Sequence, residues 1–277
     1  MSGLAPSGRE PAGHVGLVYP TARVRDDAVA AFAAAGLQLG EHVVVLAGWS
    51  RGLESALAQR GVDSRRSAED GYLTALDAPD FYPAKGQAAL VDPLLASGRH
   101  GVRLVNSAEE ALAYLGESGF HRVEQEMDDL CKTRPVMLLC HLHSETARGE
   151  RPSPALDTFV ETHGPELRGP WLTVHRTAGV VRLHGEVDVD SADLVETVLA
   201  RAGEDHGAAG APSHAAALVI DLSDLDFLDV AGYRALQRGT ERWRGRGGTV
   251  LLTGAGGLVR RVLELVGLGE DGDVRLA

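Results

Sequence analysis

The twenty residues from Ala217 to Leu236, ALVIDLSDLDFLDVAGYRAL, constrain the fold more than any other stretch of the chain. An apolar run from Ala217 to Ile220 ends at Asp221 and a polar link follows; Phe227 and Leu228 then lead into Asp229, after which Ala235, Leu236 and Trp243 return at helical spacing. The pattern is a strand, a loop and a helix entered at Asp229. Asp suits that entry because its carboxylate accepts from first-turn N–H groups that have no partner inside the helix. Ser223 falls in the polar link, just past the strand.

The flanking sequence extends the motif into a domain. Trp171 to His175 and Val180 to His184 read as strands joined by a tight Thr-Ala-Gly turn, closed by Gly185, Glu186 and Asp188. Asp190 or Ser191 can cap a helix over Asp193 to Arg201, and the Gly/Ala-rich run from Ala202 to His214 reads as a flexible loop. Gly248 to Leu252 forms a strand and Leu258 to Val266 a closing helix. The order strand, strand, helix, strand, helix, strand, helix describes a small mixed sheet with packed helices over residues 171–277.

With Asp-Leu-Ser after the central strand, Gly-Glu-hydrophobic-Asp after the early one, and a helix opening on Asp, two small residues and Gly, this half resembles a STAS domain, the fold of anti-sigma-factor antagonists. The resemblance implies regulation by protein binding at that helix entry, where phosphorylated members carry Ser or Thr just before the Gly. Here the residue is Ala231. The implied partner-binding loop is Asp229, Val230, Ala231, Gly232 and Tyr233, unphosphorylated, with an anti-sigma factor or serine kinase-like regulator as partner. Ser223, Thr240 and Thr253 are the alternative phosphate acceptors, with Ser223 first among them.

The N-terminal half alternates apolar strands with helices. Residues 1–12 read as a flexible tail. His14 to Pro20 and Gly40 to Gly48 are strands, the second apolar enough to be covered on both faces. Arg25 to Leu37 and a segment capped by Ser50 are helices. Further strands are expected at Gly71 to Leu76, Gly101 to Val105 and Pro135 to His141, with helices at Lys85 to Ala96, Ala108 to Leu115 and Phe120 to Cys131. Such alternation predicts a parallel sheet with helices on both faces. No glycine-rich loop ending in Gly-Lys-Ser/Thr follows either early strand, so the phosphate grip of an ATP site is missing.

His14, Tyr19, Phe32, Gly36, Gly40 to His42, Gly71 to Leu73 and Tyr82, with a looser late set of Glu124, Glu126, Cys140, His141 and His163, make this half resemble a MEDS domain, a sensory module related in fold to RecA-like ATPases but without their phosphate loop. The resemblance spans about residues 13–165, with 166–170 as linker. Asn106 and Ser107 depart from the family's acidic-Met pair. The resemblance implies sensing of a small hydrophobic ligand. His14, Tyr19, His42, Tyr72 and Tyr82 are the candidate ligand-binding residues, expected near strand ends where open α/β sheets keep their crevice. The plainer reading of His14 and His42 is a surface or backbone-paired imidazole. For the tyrosines it is half-buried packing with a bonded hydroxyl.

Composition narrows the function classes. A formal charge of -12, with 27 basic residues scattered over the 277, lacks the footprint of a nucleic-acid binder. Two cysteines, Cys131 and Cys140, make neither a disulfide framework nor a metal signature. No leader pattern and no 18-residue apolar run occur, so a cytoplasmic protein without membrane contact is expected. No Gly-x-Ser-x-Gly elbow, Cys-x-x-Cys pair or His-Glu-x-x-His helix is present. The reading is a non-enzymatic two-domain signalling regulator that needs no metal or cofactor and is open to self-association. A small-molecule enzyme using the N-terminal crevice and a ligand-free structural adaptor are the alternatives.

Overall fold

A computed structural model describes residues 13–46, 50–147, 154–163, 166–169, 171–177, 179–208, 217–267 and 272–277. The chain divides into two compact units between His143 and Ser144. The expected N-terminal tail lies outside the described residues.

The first unit runs β1 (His14–Tyr19), α1 (Ala22–Gln38), β2 (His42–Leu46), α2 (Arg51–Gln59), α3 (Ser64–Glu69), β3 (Leu73–Leu76), α4 (Ala78–Phe81), α5 (Ala88–Ala96), β4 (Val102–Ser107), α6 (Ala108–Thr133) and β5 (Val136–His143). Its strands are all parallel, in the order β1-β5-β4-β2-β3. Strand alternation divides the core. Val15, Leu17 and Tyr19 of β1 pack with Val29, Phe32, Leu53 and Leu57 of α1 and α2. His14, on the opposite face, meets α6. Helix starts follow the capping chemistry expected: Thr21, Ser50, Asp63, Asp77 and Ser107 each accept a first-turn N–H through the side chain. The two helices expected between Ala108 and Cys131 form one element, α6, broken at Gly116, whose φ of 66° is outside the helical region.

The second unit contains α7 (Ser144–Ala147), α8 (Pro154–Thr162), β6 (Glu166–Arg168), β7 (Leu172–Thr177), β8 (Val180–Val187), α9 (Ala192–Ala208), β9 (Ala217–Leu228), α10 (Val230–Gly245), β10 (Thr249–Thr253), α11 (Gly257–Leu265) and β11 (Val274–Leu276). Its sheet is mixed: β6, β7 and β8 pair antiparallel, and β8, β9, β10 and β11 pair parallel. Helices α9 and α10 approach closely at Gly239, where a Cβ would stand 2.7 Å from the Glu196 carbonyl oxygen and 2.8 Å from Leu199 Cβ.

Three boundaries differ from expectation. Residues 166–170, expected as a linker, hold strand β6; three residues are too few for alternation to show, but Leu167 is buried in the pairing with β7. Of the run from Ala202 to His214 expected as a loop, α9 takes the part up to Ala208, with Ala202 and Gly203 buried, and the rest lies outside the described residues. Strand β9 does not stop at Asp221; it continues through the acidic stretch to Leu228, burying Leu222, Leu225 and Leu228. The sequence reads as a loop there because Asp and Ser occupy its outer positions, and the pairing with β8 is interrupted by register shifts.

Candidate functional site

The five residues expected around one crevice separate into three places in the first unit. His42 and Tyr72 are at the amino edge of the sheet. The His42 imidazole is hydrogen-bonded to Thr74 Oγ1 at 2.9 Å, and Arg99 lies over the Tyr72 ring at 3.5 Å from its centroid. Burial, with Arg99 nearby, lowers the His42 pKa.

Tyr19 stands at the carboxyl end of β1. Its ring is edge-on to both His141 and His143, with centroids 5.4 and 5.0 Å apart. These two imidazoles share a face of β5 because residues two apart in a strand point the same way. Burial drives the His141 pKa down to about 3. Ser107, paired in register with His141, donates from Oγ to Glu109 Oε2 at 3.1 Å, and the His143 N–H donates to Glu109 Oε1 at 2.5 Å. Arg25 pairs with Asp26, whose other oxygen accepts from Ser50 Oγ at 3.2 Å.

His14 and Tyr82 meet through two residues that were not among the candidates. Tyr82 donates from its hydroxyl to Asn106 Oδ1, and Asn106 Nδ2 donates to Glu124 Oε1 at 2.9 Å. Glu124 Oε2 lies 3.0 Å from His14 Nε2, and Asp128 Oδ1 lies 3.7 Å from His14 Nδ1. Cys140 Sγ is 3.8 Å from Glu124 Oε1. His14 is 4% exposed, Asn106 0% and Glu124 1%. Four elements build the cluster: β1 starts with His14, β4 and β5 bring Asn106 beside Cys140 in register, and α6 presents Glu124 and Asp128 one turn apart. Neither imidazole expected at a surface is there, since both His14 and His42 are buried against side-chain partners.

Electrostatics follows from that enclosure. Burial opposes the charge on His14, but hydrogen bonds and attraction from Asp128 and Glu124 outweigh it and raise the imidazole to about 9. The bond to His14 holds Asp128 down to about 2. Burial raises the Cys140 thiol and the Tyr82 phenol well above their ordinary values, and the Glu124 carboxylate adds to both. The cluster therefore keeps a neutral thiol and phenol beside a charged pair.

Glu124 could have been found from the sequence by one signal. Glu124 sits on the same helical stripe as Phe120, Val123 and Met127, all buried. A carboxylate at an apolar helical position needs a buried partner.

In the second unit the helix entry is built as expected. Asp229 caps α10, its Oδ1 accepting from the Gly232 N–H at 2.8 Å. Gly232 is required by packing, because a Cβ there would lie 2.7 Å from Val187 Cγ1 and from Leu228 Cδ1. Val230 is 52% exposed and Ala231 half-buried. Tyr233, expected as an aromatic partner contact, is instead buried, and its hydroxyl accepts from Gln237 Nε2 at 2.8 Å. The exposed apolar residues on the segments flanking this entry are Val189 and Phe227. Ser223 is exposed on β9, its hydroxyl bonded to Asp221, which also pairs with Arg182 Nε at 2.8 Å.

Among the described residues no helix is long and apolar enough to cross a membrane. Comparison with curated proteins gives no match. Among solved structures, the anti-sigma factor antagonist SpoIIAA in its unphosphorylated form is 19% identical over 38% of this chain and 87% of its own, with a TM-score of 0.30. The phosphorylated form of SpoIIAA, the Bacillus cell fate determinant, is 18% identical over 38% and 90%, with a TM-score of 0.28. A KaiC-like protein from the hyperthermophilic archaeon Pyrococcus horikoshii is 15% identical over 63% and 79%, with a TM-score of 0.43. Family models match at residues 13–163, the methanogen/methylotroph DcmR sensory domain, and at residues 170–276, the STAS domain. The chain belongs to the MEDS family, its sensory domain joined to a C-terminal STAS domain.

Proposed function

We propose that this signalling regulator senses a small ligand or a partner protein through residues 13–165 and relays that state by protein binding through residues 171–277. The relay acts as an anti-sigma-factor antagonist that works without a phosphate switch at its helix entry, and its partner is an anti-sigma factor or a serine kinase-like regulator. The observation that carries the reading is Ala231. It stands directly before the packed Gly232, inside a helix entry capped by Asp229, and carries no hydroxyl to accept phosphate. Exposed Val189, Phe227 and Val230 supply apolar contact area near that entry, and Asp188, Asp190, Asp226 and Asp229 give the surroundings an acidic character suited to a basic partner.

Phosphate at Ser223 fits less well. Its hydroxyl already donates to Asp221, and Asp224 and Asp226 are close in sequence on the same strand, so an added dianion meets like charge.

Partner capture from extract of the native host, with wild type and Ala231→Asp as bait, tests the reading. Wild type should retain an anti-sigma factor or kinase-like protein, and the added carboxylate should weaken that retention. Equal capture by both would remove the entry from the relay. On the sensing side, a ligand that raises the melting temperature of wild type and not of Tyr19→Ala or Tyr82→Ala would locate the response in the first unit.

A further inference from the structure

We infer that His14 and Glu124 are ligands of a divalent transition-metal ion of the zinc class, held inside the first unit. This inference stands apart from the relay reading. Imidazole nitrogen and carboxylate oxygen are the donor pair such ions take when no thiolate is engaged. The two come from distant parts of the chain, the start of β1 and the middle of α6, and both side chains are buried. Around a tetrahedral zinc with ligand bonds of about 2.0–2.2 Å, neighbouring N and O donors stand about 3.3–3.5 Å apart. His14 Nε2 and Glu124 Oε2 are 3.0 Å apart, so a small opening admits the ion.

The atoms behind the pair favour the same reading. A metal-bound histidine ordinarily presents its other nitrogen to a carboxylate, and a metal-bound carboxylate is itself held by a hydrogen bond. Asp128 Oδ1 lies on the Nδ1 side of His14 at 3.7 Å, leaving Nε2 to point at Glu124. Asn106 Nδ2 donates to Glu124 Oε1 at 2.9 Å, leaving Oε2 to point at His14. Asn106 is in turn fixed by the Tyr82 hydroxyl. Cys140 lies on the Oε1 side of Glu124 and is not one of the two ligands.

A proton shared between Nε2 and Oε2 would also suit 3.0 Å, and metal uptake separates the two. The full-length chain is stripped with a chelator, then titrated with zinc and with cobalt(II), following stoichiometry by calorimetry, melting temperature, and the cobalt absorption spectrum. Expected are one equivalent bound, a rise in melting temperature, and cobalt d–d bands without thiolate charge transfer. His14→Ala and Glu124→Gln should each weaken binding at least 100-fold. Asp128→Asn, which leaves both ligands in place, should weaken it roughly 10–100-fold. No uptake of either metal by the wild type would overturn the inference whatever the variants do. So would wild-type affinity in folded His14→Ala, or a cobalt spectrum dominated by thiolate bands that disappear in Cys131→Ser or Cys140→Ser.

Discussion

His141 shows how one buried side chain fixes a pH response. Its imidazole is 8% exposed, and burial lowers its pKa to about 3, below the unfolded value near 6.5. A depressed histidine contributes stability that is fully present above pH 6.5 and is lost as pH falls toward 3, because the unfolded chain takes up the proton first. Wild-type unfolding free energy should fall in that window by up to about 1.4 kcal/mol per pH unit from this group alone. His141→Asn should flatten the slope, read from denaturant melts at a series of pH values. Gly185 sets a second, backbone constraint. Its φ is +98°, and a Cβ would stand 2.1 Å from the Trp171 carbonyl oxygen. Gly185→Ala should cost about 3 kcal/mol or more, since both the conformation and the space are wrong for a side chain. The glycine is readable in the sequence as the start of Gly-Glu-x-Asp; the carbonyl against it is not, because Trp171 reaches it only through the β7–β8 pairing.

At the scale of elements, α6 and β4 depend on a polar chain that has to be complete. Tyr82→Phe removes the donor to Asn106 Oδ1 and leaves a fully buried amide oxygen unsatisfied. The cost should be about 1–3 kcal/mol by chemical denaturation. Helix α10 depends on its cap. Asp229→Ala should lose about 1 kcal/mol, and Asp229→Asn, which keeps an acceptor for the Gly232 N–H, should recover most of it. Elements of this kind were legible where chemistry is local. Ser50 and Asp229 cap the helices expected of them, and β1 and β2 start and stop within a residue or two of their apolar runs. What the sequence hid was long-range. Asn106 reads as a departure from a family pattern, yet it is the link between Tyr82 and Glu124, and only the β4–β5 register brings it there. The extension of β9 was hidden for the opposite reason. Asp224 and Asp226 look like loop residues until Leu222, Leu225 and Leu228 are seen to be buried around them.

At the scale of the whole molecule, a parallel α/β unit and a mixed-sheet unit follow one another, and the net charge of -12 governs how the protein meets others. If the relay partner is basic, its association rate should fall steeply as salt rises from 0.05 to about 0.5 M, as the Debye length shrinks to a few ångströms, while dissociation changes less. Stopped-flow mixing with the captured partner checks this, and a salt-independent rate would count against charge steering. The join between β1 and α1 has a further consequence. Strand β1 ends at Tyr19 and α1 starts at Ala22, capped by Thr21, so only two residues join them and a glycine-rich loop of the kind that grips phosphates has no room at that turn.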